Sequence, residues 1–314
     1  MKKAEFIKYL ESKDFAKRTL TGCLNRTKQF FNYVEKEDIQ VTKPDVLKYL
    51  EHLKNKGLQN ASRKHHLTAI SHYFTHLYTI GTITESPCWF IKIRGANKKI
   101  LYKIYTPEEL EQLFDNYWHY FVRNFDNSHQ RHERQKQSTA LCRERNALIL
   151  SILINQGIVA TDIFKIEISD IDLIKATIKI RGGKRLNDRT LALKATQIGL
   201  IMNYLQNIRP QLLEYHTSDN NKLFVQLTVA NKKITNKNGF AYILDRFTDQ
   251  VRLIDKQLIN FTQIRASVIT HWLKTYGLRK TQYMAGHRNI STTEQFLPNN
   301  LEDLTSDINK LHPF

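Results

Sequence analysis

Cysteine is scarce in this chain. Among 314 residues there are three, Cys23, Cys88 and Cys142, odd in number and widely spaced. That usage excludes a disulfide framework and a cysteine zinc site, fits a reducing compartment, and leaves buried structural thiols as the expectation. Long apolar runs are missing too: none approaches the roughly 20 residues of a membrane span. Met1-Lys2-Lys3 leads into a mixed helical pattern and not into the apolar stretch of a secretory signal, so the expected location is the cytoplasm. Acid is short relative to base, with 30 Asp and Glu against 48 Lys and Arg, a net charge of +18 and a pI near 9.7. No carboxylate cluster points to magnesium, which disfavours a metal nuclease, and no cofactor is implied. A basic excess of this size points to a polyanion, with duplex DNA the first candidate. The same charge is also compatible with an RNA- or ribosome-binding protein, or with a merely solvated basic surface. Apolar residues make up 41% of the chain, enough for sizeable cores, and the length fits about two domains.

Residues 1–93 read as a helical bundle. Phe6, Ile7 and Leu10 make a short apolar face, and Leu20, Leu24, Phe31 and Val34 a longer one. Thr42, with Pro44 and Asp45, starts a third helix that Gly57 ends. A fourth begins near Asn60, carries Leu67, Ile70, Phe74 and Leu77, and breaks at Gly81. Its first turns hold Arg63, Lys64 and His65, suited to a phosphate backbone and equally readable as a solvated charged face. Residues 94–105 form a basic linker containing Lys98 and Lys99, placed to track DNA. Residues 106–314 make a second domain that opens on a capping box, Thr106-Pro107-Glu108-Glu109.

In that domain the polar segment 124–138 reads as a solvated loop or helix end, and His129 with His132 makes no metal site. An apolar helix follows through Leu148, Ile149, Ile152 and Leu153. Thr177–Arg181 and Arg189–Leu193 alternate as two strands of a hairpin with Lys184 and Arg185 near its tip. Taken alone, Lys184 is a surface hairpin lysine. Residues 195–256 read as helices, with Lys222–Val225 the one strand-like piece. Phe261, Ile264, Val268 and Trp272 then mark the buried face of a helix, with Arg265 at its edge and Gly277 at its end. A shorter helical run leads to Ala285-Gly286-His287, and Ser291 with Glu294 reads as a capping box. Leu301, Leu304, Ile308 and Leu311 make a terminal apolar stripe.

Met284-Ala285-Gly286-His287-Arg288-Asn289-Ile290-Ser291-Thr292-Thr293-Glu294-Gln295-Phe296, with Arg265 upstream, resembles in order and spacing the signature of the tyrosine recombinases, the phage-integrase family. Gly157, Asp162 and Ile163 resemble a second family segment, and Gly81 to Pro87 the turn that ends the family's N-terminal domain. The resemblance covers almost the whole chain. It implies a mainly α fold with a small β-hairpin or sheet: an N-terminal helical DNA-binding bundle and an α+β catalytic-type domain. It implies Arg265 as the oxyanion clamp, His287 as a hydrogen-bonding or acid–base group, and Lys184 as the acid for the leaving 5′ oxygen. It also implies a specific duplex recombination site as partner, a homotetramer on paired sites that is weak or monomeric without DNA, a nucleoid-associated life in the cytoplasm, and service to a mobile element or chromosome system.

The chain departs from the family pattern at three positions. Val159 occupies an arginine slot, for which Arg185 or Arg189 is a candidate substitute. Thr262 occupies the first position of a His-x-x-Arg pattern and lacks the proton chemistry of histidine. Phe296 occupies the position of the nucleophilic tyrosine, and a benzene ring cannot attack phosphorus. The expected protein is therefore a site-specific recombinase or integrase that binds DNA without cutting it. The alternative is a natural pseudo-recombinase acting as an architectural or regulatory DNA-binding factor.

Overall fold

A computed structural model describes residues 3–95, 102–124, 133–183, 186–215, 221–227 and 239–297. The chain divides into two compact units, Met1–Ile100 and Leu101–Phe314.

Among its described residues the first unit has four α-helices: α1 (Lys3–Ser12), α2 (Lys17–Val34), α3 (Lys43–Asn55) and α4 (Asn60–Thr79). Their core contains Phe6, Leu10, Phe30, Val46, Leu50, Leu67, Ile70, Phe74 and Leu77. The Asp45 carboxylate accepts from the Thr42 N–H at 2.9 Å and the Thr42 hydroxyl at 2.8 Å, fixing the start of α3. The buried stripe of α2 is one step round from the expected face. Cys23, Thr27 and Phe30 are buried, whereas Leu20, Leu24, Phe31 and Val34 flank them half-buried. The reason lies at the crossing with α4. Cys23 and Thr27 are small, and the Thr27 hydroxyl donates to the Ala69 carbonyl of α4 at 3.4 Å.

The second unit begins with α5 (Pro107–Tyr117) and α6 (Glu133–Gln156). The polar stretch Glu133–Ser138, expected as loop or helix end, is the first part of α6. Further along, Leu148, Ile149, Leu150, Ile152 and Leu153 are all buried. Adjacent positions point to different sides of a helix, so α6 is enclosed all round and is the axle of this unit. Each such side chain contributes about 1.5–3 kcal/mol on burial.

Next comes an antiparallel sheet in the order β1 (Ile171–Asp172), β2 (Thr177–Ile180), β3 (Arg189–Ala192). Ile178 faces Ile171 on one side and Leu191 on the other, and Ile180 pairs with Arg189. Strand β1 went unread because two residues carry no period. Then follow α7 (Ala195–Asn203), α8 (Arg209–Leu213), α9 (Gly239–Ile254), α10 (Phe261–Ala285) and α11 (Ile290–Glu294).

Two expectations need correction. Lys222–Val225 is not a strand; only a single bridge joins Lys222 to Glu167. Its apolar residues look strand-like because Leu223, Phe224 and Val225 are buried. Their backbone is satisfied partly by side chains: the Tyr204 hydroxyl accepts from the Val225 N–H at 3.2 Å, and Arg145 donates to the Val225 carbonyl at 2.9 Å, while the Leu223 N–H donates to the Ile166 carbonyl at 2.9 Å. Ser291 is likewise not the helix cap, since α11 starts at Ile290 and its N-cap position is Asn289, two residues before Ser291. Gly277 interrupts α10 as expected, by a kink at φ 71° and ψ 178°, and helix resumes beyond it to Ala285.

Candidate active site

The site begins with the apolar face of α10. Asn260 caps the helix through its side chain, which accepts from the Gln263 N–H at 3.2 Å. Phe261, Ile264, Val268 and Trp272 are buried in the core of the second unit. Burial of that face carries Arg265 inward, and it is 7% exposed rather than an edge residue. Its guanidinium ties three places together. Nη1 donates to the Gly157 carbonyl just beyond α6, and Nη2 donates to the Ala285 carbonyl at the end of α10, at 2.9 Å. Nη2 also meets Nε2 of His287 at 3.1 Å.

That last contact fixes the histidine tautomer. A guanidinium can only donate, so Nε2 must accept and the ring proton sits on Nδ1. Nδ1 then donates to the Thr293 hydroxyl at 2.9 Å. Protonating His287 would set two donors against each other. Burial, then Arg265, then Arg189, accordingly push its pKa down to about 4. Burial chiefly, with Arg189 adding, lowers Arg265 to about 10, while the charge of Asp162 acts in its favour. Arg265 remains a cation at neutral pH. Of its five N–H groups, three have the partners just named, leaving Nε and one on Nη1 open among the described residues. An anion in the adjoining cleft would complete them.

The cleft is lined by Val159, Asp162 and Lys165 after α6, by Gly182, Gly183 and Leu186 from the hairpin, and by Arg265, His287, Arg288, Asn289 and Thr292. Asp162 is buried and is bonded to Lys165 at 2.5 Å. The hairpin is clasped to the turn before His287. Leu186 bridges His287, the Asn187 N–H donates to the Gly286 carbonyl at 2.8 Å, and Arg288 donates to the Gly183 carbonyl at 3.0 Å. The turn itself needs glycine: Gly286 has φ +73°, and a Cβ there would lie 2.6 Å from Nη1 of Arg189. The half-buried ring of Phe296 stacks on His287, with centroids 5.8 Å apart and planes at 13°.

The structure thus brings Arg265, His287 and Phe296 together, with Val159 on the same cleft. Thr262 is exposed in the first turn of α10 and does not line the cleft. Lys184 and Arg185 lie outside the described residues, although Gly183 and Leu186 on either side of them line the cleft. Lys98, Lys99, His129, His132 and the terminal stripe from Leu301 to Leu311 also lie outside the described residues. In the first unit Arg63 is half-buried and donates to the Leu50 carbonyl and the Asn60 side chain, each at 3.1 Å, while Lys64 and His65 are exposed on α4. Sequence reading assigned no role to Thr293, or to the carbonyls of Gly157 and Ala285. Backbone acceptors carry no residue-type signal, and only the motif spacing from His287 to Thr293 could have singled out the hydroxyl.

The profile described as the Phage integrase family matches residues 130–302, a little over half of the chain. The chain belongs to the phage integrase family. A further profile, the phage integrase N-terminal SAM-like domain, matches residues 4–80 of this family member. Similar relatives include the tyrosine recombinase XerC of Listeria innocua serovar 6a, 26% identical over 98% of this chain and 96% of the relative. The tyrosine recombinase XerD of Staphylococcus haemolyticus is 31% identical over 54% of this chain and 55% of its own. Among solved structures, XerH recombinase bound to a palindromic difH substrate aligns with a TM-score of 0.61 at 20% identity, covering 85% of this chain and 72% of that one. A lambda integrase dimer bound to a COC′ core site aligns with a TM-score of 0.61 at 12% identity, covering 94% and 93%. At such identities the structural likeness shows the fold alone, and that fold is the mainly helical one with a small antiparallel sheet expected from the sequence. No helix among the described residues is long and apolar enough to cross a membrane.

Proposed function

We propose that this phage integrase family member is a site-specific recombinase or integrase in architecture that grips the phosphodiester backbone of a specific duplex site without cutting it. The observation that carries the reading is the Arg265–His287 pair at the cleft, with two open guanidinium N–H groups beside it and a phenyl ring where the attacking hydroxyl would stand. Arg265 would hold a non-bridging phosphoryl oxygen, and His287 would hold Arg265 in place. The basic charge of +18 supports a backbone grip. Assembly as a tetramer on paired sites belongs to the same proposal, and a lambda integrase tetramer bound to a Holliday junction, 14% identical with a TM-score of 0.60, is among the proteins of like fold.

Phe296→Tyr tests it. In that variant the phenol gives up its proton to water and its oxygen attacks phosphorus, the bond to the 5′ oxygen breaks, and Lys184 donates the proton that the leaving oxygen takes up, leaving a 3′-phosphotyrosyl link. Duplex DNA selected for binding by the full chain, end-labelled and run on a denaturing gel, should show a shifted band with Phe296→Tyr and none with the parent. A covalent band with the parent, or failure of the parent to select any duplex sequence, overturns the reading. Tight site-specific binding with no band from Phe296→Tyr instead supports a natural DNA-binding factor, for which the exposed Thr262 and the apolar Val159 in the cleft already argue.

A further inference from the structure

Arg189 opens β3, yet its side chain is 2% exposed. Among the described residues its Nε and Nη2 are buried without a hydrogen-bond partner, and Nη1 reaches only the Asn187 carbonyl at 3.4 Å. A buried guanidinium with open N–H groups is costly, and each such case in a folded protein calls for something that completes it. Its surroundings say where completion would come from. The guanidinium lies against Gly286, so close that a Cβ there would come within 3.0 Å of Cζ. Gly286 separates Ala285, whose carbonyl holds Arg265, from His287. The charge of Arg189 acts on both Arg265 and His287, and Asp162 acts on both arginines. Asp188 also faces Arg189, but its carboxylate accepts from the Gly182 N–H at 2.8 Å. Asp162 is shared with Lys165. Among the described residues, then, two buried guanidinium groups act on one histidine and one buried carboxylate acts on both of them, and the shortfall is an anion.

We propose that Arg189 is the second guanidinium of the phosphate site, filling the role that Val159 cannot, with its Nε and Nη2 donors completed by a phosphoryl oxygen seated beside Arg265. The proposal rests on reading the cleft as a phosphodiester site. Chain topology makes it workable: Arg189 enters from the sheet side of the Gly286 turn, Arg265 from the helix side. The slot after α6 can then be apolar without leaving the phosphate on one clamp.

The test uses the full chain with ¹⁵N-labelled arginine, titrated with inorganic phosphate at constant ionic strength. In the unaltered protein the Nε–H signals of Arg189 and Arg265 should both shift downfield and saturate at one common phosphate concentration. Arg189→Gln should weaken phosphate binding at least tenfold and raise the pKa of His287. Arg189→Lys should keep that pKa low while still losing affinity, because a point charge replaces a fork. Val159→Arg added to Arg189→Gln should restore binding, which a merely structural role for Arg189 would not allow. If the Arg265 signal responds and Arg265→Lys weakens binding, while the Arg189 signal stays still, Arg189 is not part of the site and the phosphodiester reading survives alone. If neither signal responds, the cleft is no phosphate site and both readings fall. The measurement on the parent protein decides the matter even if a variant does not fold.

Discussion

Acid should weaken the second unit through one histidine. His287 has its pKa pushed from 6.5 to about 4 by burial and by Arg265 and Arg189. An unfolded chain takes up this proton as pH falls through about 6.5; the folded site resists until about 4. Between those values the unfolded state binds more protons, so stability rises with pH in that window and is lost as pH falls through it. The shift of 6.5 to about 4 corresponds to roughly 3 kcal/mol, fully present above pH 6.5 and gone below about pH 4. Other groups titrate in the same range, so the informative quantity is the difference between the parent and His287→Gln, which can still bond Arg265 and Thr293. Urea unfolding at half-unit steps from pH 7 to pH 4 provides it. With Trp89 of the first unit replaced by Phe, fluorescence of Trp272, buried on α10, and of Trp118, packed against the same core, reports on this unit. The parent's stability relative to the variant should fall by about 3 kcal/mol across the series. A constant difference, or a His287 ring proton that titrates near 6.5, would refute the assigned tautomer and its pairing with Arg265.

Gly286→Ala should lose roughly 1–2 kcal/mol from the left-handed backbone, and more from the collision with Arg189; Gly81→Ala, at the same φ of +73° with nothing within 4 Å, isolates the second part by urea unfolding. Equal losses would remove Arg189 from beneath the turn. Thr106→Ala should cost about 1 kcal/mol by removing a helix cap, since the Thr106 hydroxyl oxygen accepts from the Glu109 N–H at 3.2 Å and the Glu109 carboxylate accepts from the Thr106 N–H at 2.8 Å. Thr106→Ser should recover most of it, and an unchanged midpoint for the alanine variant would show the cap to be redundant.

What could be read in the sequence follows from what leaves a local trace. The capping box at Thr106, the helix opened by Thr42 and the hairpin strands are short-range patterns, and each stands where it was expected. The α2 stripe was misplaced because the crossing with α4 selects small residues, and Cys23 and Thr27 carry little hydrophobic signal. Lys222–Val225 imitates a strand because burial, not pairing, sets its composition. In the site, Arg265 and His287 were legible through motif spacing, and the Arg265 to His287 bond joins residues only 22 apart. The inward turn of Arg189 was not legible. It depends on which face of β3 the sheet buries against the Gly286 turn, a tertiary decision that one arginine in a basic chain does not announce.

The clasp between the hairpin and the turn that ends at His287 has a thermodynamic consequence. Because Leu186 bridges His287 and Asn187 bonds Gly286, loosening the hairpin base also releases the histidine backbone. Order at the hairpin and order at His287 are therefore one equilibrium. Any ligand that seizes the strand-side loop tightens the histidine as well, and any ligand that engages the histidine steadies the loop by the same free energy.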